Sequence, residues 1–81
     1  MPTVTYYVAL PFTRTEEDEL VPGEAVELPS TAAAIRKASV LAMVNAGAVA
    51  FSRTGDPAIG EFQDAILLQK FGDVPSDLSE L

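Results

Sequence analysis

The sequence predicts an α+β domain: a small two-layer sandwich with one helix packed on a three- to four-stranded, mainly antiparallel sheet. The element order is β-β-α-β-β, with a split β-α-β at its centre. Three observations carry this prediction. Apolar side chains fall on every second residue from Val4 to Phe12, the period of a strand with one apolar face. Thr31 to Ala46 is alanine-rich and free of glycine and proline, the composition of a helix interior. Two further apolar runs, 48–53 and 62–71, follow it.

Taken in order, Val4, Tyr6, Val8, Leu10 and Phe12 line one face of the first strand, and Pro11, lacking an N–H, belongs at its end or on an unpaired edge. Residues 13–23 read as a loop because Glu16, Glu17, Asp18 and Glu19 repel one another unless solvated. Pro22-Gly23 has the chemistry of a type II turn, and 24–28 reads as a short edge strand. Ser30 is the expected N-cap and Gly47 the expected left-handed residue after the helix. Ala34, Ile35, Ala38, Leu41 and Ala42 form the face turned to the sheet. Val40, Met43 and Val44 fall on the opposite side, which makes them interface candidates together with Leu67 and Phe71 of the last strand.

The run 48–53 reads as a strand and 53–64 as a hairpin region with Gly55, Pro57 and Gly60. Residues 62–71, apolar on both faces, read as the central strand, inserted between two parallel neighbours. All 81 residues form one domain, with 72–81 as a tail that frays. One sheet face is expected to remain open, carrying large side chains of the first and last strands.

Composition narrows the function classes. Hydrophobic residues make up 48% and charged residues 21%, within the globular range. There is no cysteine and no histidine, which removes disulfides, thiolate sites, the usual zinc ligand and the usual general base. The net charge of −7 repels a phosphate backbone, so nucleic acid is not an expected partner. The most apolar stretch, Ala38 to Phe51, is 14 residues long, short of the ~20 needed to cross a bilayer. The amino terminus lacks a basic start followed by an apolar run. A cytoplasmic chain with no membrane association is the expectation.

No catalytic, cofactor or metal-binding constellation emerges. The serines have no histidine to activate them, no phosphate-binding glycine motif occurs, and the acidic run lacks the alternate ligand spacing of a calcium loop. The one polar cluster with ligand-binding chemistry is Arg53 with Asp56, Glu61 and Asp64 at the hairpin, with Tyr7 as a further pocket residue. A guanidinium fork suits a carboxylate or phosphate. The same residues also suit a plain turn, with Asp56 and Gly55 at the bend and Arg53 paired across the strands.

The stretches Gly23 to Glu27, Ala46 to Pro57 and Phe71 to Pro75, with the alanine-rich helix between them, resemble a group of small uncharacterised bacterial proteins. That resemblance implies a bacterial, intracellular origin and assigns no activity to any residue. The predicted element order is also similar to ferredoxin-like modules, including the peptidoglycan-binding SPOR repeats, whose periplasmic role does not suit a chain without a signal or anchor. The resulting expectation is a non-enzymatic, acidic interaction module without cofactor. It self-associates as a homodimer or binds another protein through apolar surface; the alternative is a small-molecule or anion binder, or a minor enzyme, at the 53–64 hairpin.

Overall fold

The computed structural model describes residues 3–76. Among these, one helix lies on a curled, antiparallel sheet of six strands. The strands are β1 (Val4–Arg14), β2 (Leu20–Pro22), β3 (Val26–Leu28), β4 (Gly47–Asp56), β5 (Glu61–Phe62) and β6 (Ile66–Gly72), with α1 (Thr31–Val44) between β3 and β4. They occupy four lanes: β2 and β3 share one outer lane beside β1, and β5 and β6 share the other beside β4. The α+β class holds. The strand number does not: Leu20–Pro22 forms a strand inside the stretch 13–23 expected as a loop, and the stretch 62–71 expected as one strand is broken in two.

The central pair is β1 with β4, antiparallel from Val4 opposite Gly55 to Phe12 opposite Gly47. This corrects the expected topology. Here β1 and β4 are direct antiparallel neighbours, and it is β1 that lies between the mutually parallel β3 and β4. The stretch expected at the centre is peripheral instead. β6 pairs only with β4, and Ile66 and Leu67 are exposed.

Register explains the breaks. Phe12 faces Pro22 and Ala9 faces Val26, so three residues, 23–25, span where β1 has only Leu10 and Pro11. Pro11 accepts a hydrogen bond on its carbonyl from the Gly23 N–H at 2.8 Å. Since the N and O of a strand residue point the same way, its missing donor faces this break and the β1–β4 ladder loses nothing. Pro11 therefore sits buried in mid-strand rather than at an end. Gly23 has no positive φ, so the type II turn is not formed. A Cβ there would lie 3.1 Å from the Pro11 ring, a tight contact that glycine avoids.

In the other lane, Ala50 faces Gln69 while Phe51 faces Leu67, which leaves Leu68 as an extra residue. A second interruption, 63–65, separates β5 from β6, and the Gln63 N–H donates to the Thr54 carbonyl at 2.8 Å.

The loop 15–19 closes around Thr15, whose Oγ1 accepts from the N–H groups of Glu17 and Glu19. Asp18 takes a positive φ of 66°. The acidic run is a solvated turn, as its charge requires. It is joined to β1 by Arg14, which pairs with Asp18 at 3.0 Å and with Asp73 at 3.2 Å. The hydrogen bond and charge of Asp18, then Asp73, hold the Arg14 guanidinium above its ordinary pKa.

The helix begins at Ser30, whose Oγ accepts from the Ala33 N–H at 3.1 Å. Ser30→Ala should lower stability by about 1 kcal/mol, read as a shift in the urea midpoint; an unchanged midpoint would show that the cap contributes nothing. At the other end Asn45 Nδ2 donates to the Leu41 carbonyl at 2.9 Å. Gly47 opens β4 without a positive φ, so the expected left-handed cap at that position is replaced by an Asn45 cap two residues earlier.

Helix and sheet meet through methyl groups. Ala34 and Ala38 pack on Ala9, Ala48 and Ala50, all fully buried, ringed by Tyr7, Leu28, Ile35, Leu41, Leu68 and Phe71. The opposite sheet face carries Val4, Tyr6, Val8, Leu10 and Phe12 from β1 with Val49, Phe51 and Arg53 from β4, by strand alternation. The curl of the sheet buries the Phe12 and Val49 end of that face; the Val4 end stays open. Of the tail expected from Gly72, residues 77–81 lie outside the described residues.

Candidate functional site

The ligand candidates of the sequence do not converge. Asp56 and Glu61 face one another in register across the β4–β5 turn. The Asp56 Oδ1 accepts from the Ala58 N–H at 2.9 Å and its carbonyl from the Ile59 N–H, the arrangement of a turn with Pro57 at its second position. Arg53 alternates onto the other face of β4, three residues away. Tyr7 lies on the helix side, against the alanine core. Asp64 follows β5 in the exposed 63–65 segment.

A shallow concavity of about 230 Å³ lies at this end of the sheet, lined by Thr3, Gly55, Asp56, Glu61, Phe62 and Gln63. It is smaller than the ~300–1,000 Å³ of small-molecule pockets, and its charged lining is made of carboxylates, the wrong sign for an anion. Among the described residues no group of three or more Asp and Glu is placed to hold a metal ion.

The larger feature is the open half of the sheet face away from α1. Its rows, read across β1, β4 and the β5/β6 lane, are Val4, Gly55 and Phe62; Tyr6 and Arg53; and Val8, Phe51 and Leu67, bordered by Leu10 and by Lys70 on either side of the buried Val49. Val4, Phe62 and Leu67 are 40%, 46% and 41% exposed, and Tyr6, Val8, Leu10, Phe51 and Arg53 are half-buried. Gly55 lets this surface form: a Cβ there would lie 2.8 Å from the Phe62 Cα and strike the Phe62 ring. Phe62 thereby lies over β4, with its centroid 6.1 Å from that of Tyr6 and the rings tilted by 45°. Aromatic side chains with an arginine among them are the composition of protein-binding hot spots.

The interface candidates divide. Leu67 belongs to this face, whereas Phe71 is half-buried against the alanine core. Val40, Met43 and Val44 form a separate exposed patch at the end of α1, with Met43 and Val44 82% and 79% exposed. Val4, Tyr6, Phe51 and Phe62, which line this face, are not among the interface candidates of the sequence. The alternation of β1 was the available signal for Val4 and Tyr6, but only the register brings Phe62 beside them.

Comparison with protein-family models, with curated proteins and with solved structures gives no match for this chain. No helix among the described residues is long and apolar enough to cross a membrane.

Proposed function

We propose that this chain is a non-enzymatic interaction module of the bacterial cytoplasm that self-associates through apolar surface. With one helix over one side of the sheet it works as a two-layer unit whose second side is left for a partner. The observation that carries this reading is the contiguous open surface around Val4, Tyr6, Phe51, Phe62 and Leu67. Soluble monomers rarely leave a contiguous apolar patch of this kind uncovered unless it binds something. The 53–64 turn supports a ligand-binding reading less well, because Arg53 and Asp56 project from opposite faces of β4.

Sedimentation equilibrium of the full chain across the micromolar range tests the proposal. A concentration-dependent mass that persists at high salt is expected, since burial of apolar surface is little weakened by screening. A strict monomer at every concentration overturns it.

A further inference from the structure

We propose that the open sheet face has an occupant within its own chain: residues 77–81, which follow the described part of the sequence, serve as a strap over β4 and β6 that a partner must displace. The inference rests on the proposed function and adds the regulation of that same surface.

The course of the chain after β6 gives the first argument. Gly47 belongs to the side of the sheet away from α1, in line with Val49, Phe51 and Arg53 by strand alternation. A Cβ on Gly47 would lie 2.7 Å from both the N and the C of Asp73, so the backbone of Asp73 passes over β4 on that side. The Asp73 carboxylate is held there by Arg14 at 3.2 Å. Val74 and Pro75 follow, half-buried, and Val49, the next residue of β4 on this side, is fully buried. The chain has thus left the margin of the sheet and begun a covering layer at the closed end of the face.

Reach gives the second. The residues after Asp73, 74–81, span at most about 28 Å when extended, and β4 runs about 26 Å from Gly47 to Gly55. Residues 77–81 therefore reach the Phe51 and Arg53 rows.

Composition gives the third. The segment reads Asp77-Leu78-Ser79-Glu80-Leu81, two leucines with two carboxylates. The β4/β6 half of the face offers the matching surface, with Phe51 and Leu67 beside the cations Arg53 and Lys70. Glu27, an acid of the same side, stands at the far margin beyond Val8. In a chain of net charge −7, this half-face attracts an acidic segment where the chain as a whole repels one. A strap tethered beside its site acts at high effective concentration, and it lowers the apparent affinity for a partner by the fraction of chains it covers.

Two full-length double variants test the proposal, with circular dichroism to confirm that each is folded: Leu78→Ser with Leu81→Ser removes the apolar contact, and Asp77→Lys with Glu80→Lys reverses the charge. Amide resonances are compared with those of the wild type at a dilution where each chain is monomeric, and self-association is measured by sedimentation equilibrium. The amides of Phe51, Arg53 and Leu67 should move in both variants while those of Val40, Met43 and Val44 stay in place. Association should tighten about fivefold or more.

Unmoved amides on the sheet face would overturn the strap and leave self-association standing. Weaker association of the variants would also overturn it, because the segment would then belong to the interface and not to its cover. Moved face amides in a wild type and variants that are monomeric at every concentration would overturn self-association and, with it, the competing role of the strap.

Discussion

Gly47→Ala should destabilise the domain by about 3 kcal/mol, a large share of the roughly 4–12 kcal/mol expected for a chain of this length. Gly47 faces Phe12 on one side and Gly72 on the other. Gly72, at a φ of 67°, turns the chain so that the Asp73 N–H reaches the Ala46 carbonyl at 2.9 Å. The backbone of Asp73 thus crosses directly over Gly47. A Cβ there would lie 2.7 Å from both the N and the C of Asp73 and would strike its carbonyl oxygen. All three are main-chain atoms and cannot rotate aside, so the end of β6 must leave β4.

Gly60→Ala is the control. At a φ of 70° with nothing within 4 Å of the added methyl, it carries only the left-handed strain of about 1–2 kcal/mol. Urea denaturation of the two variants separates clash from strain. A Gly47→Ala loss no larger than that of Gly60→Ala would mean that the two backbones do not approach as described.

Ala38→Leu should lower stability by a similar amount, about 3 kcal/mol. Ala38 and Ala34 touch Ala9, Ala48 and Ala50 with no exposed surface at any of the five, so the spacing between helix and sheet is one methyl group against another. A leucine at Ala38 has no gap to enter and must lift α1, pulling Ile35 and Leu41 from their contacts with the same cluster. A melting temperature lower by about 4–8 °C per kcal/mol is expected for a domain of this size. Ala32→Leu, on the exposed side of α1, should leave the melting temperature nearly unchanged. Equal behaviour of the two variants would show that the methyl contact does not set the spacing.

The local signals in the sequence were sound where the physics is local. The Ser30 cap, the alanine face of α1, the alternation of β1 and the solvated acidic turn each depend on neighbours a few residues apart, and each is found. The failures are long-range. Residues 62–71 are apolar on both faces, which suits a buried central strand and equally suits an edge with an uncovered surface; only the pairing with β4 distinguishes them. Gly47 and Gly23 were read for their freedom of φ, whereas the backbone of Asp73, 26 residues away, is what excludes a side chain at Gly47, and Pro11, 12 residues away, is what crowds one at Gly23. Short β2 and β5 fall below the length at which a period can be seen. At the 53–64 hairpin, spacing in sequence placed Arg53 and Asp56 together, and their separation by three positions, an odd number, in an extended β4 puts them on opposite faces.

Both margins of the sheet carry surplus residues in mid-lane, one at 23–25 opposite Leu10 and Pro11 on one side, and one at 63–65 opposite Arg53 and Thr54 with a second at Leu68 on the other. Such interruptions deny an incoming backbone the long, even row of donors and acceptors that strand addition requires. Growth of the sheet sideways, the route to fibrils, is thereby blocked at each border.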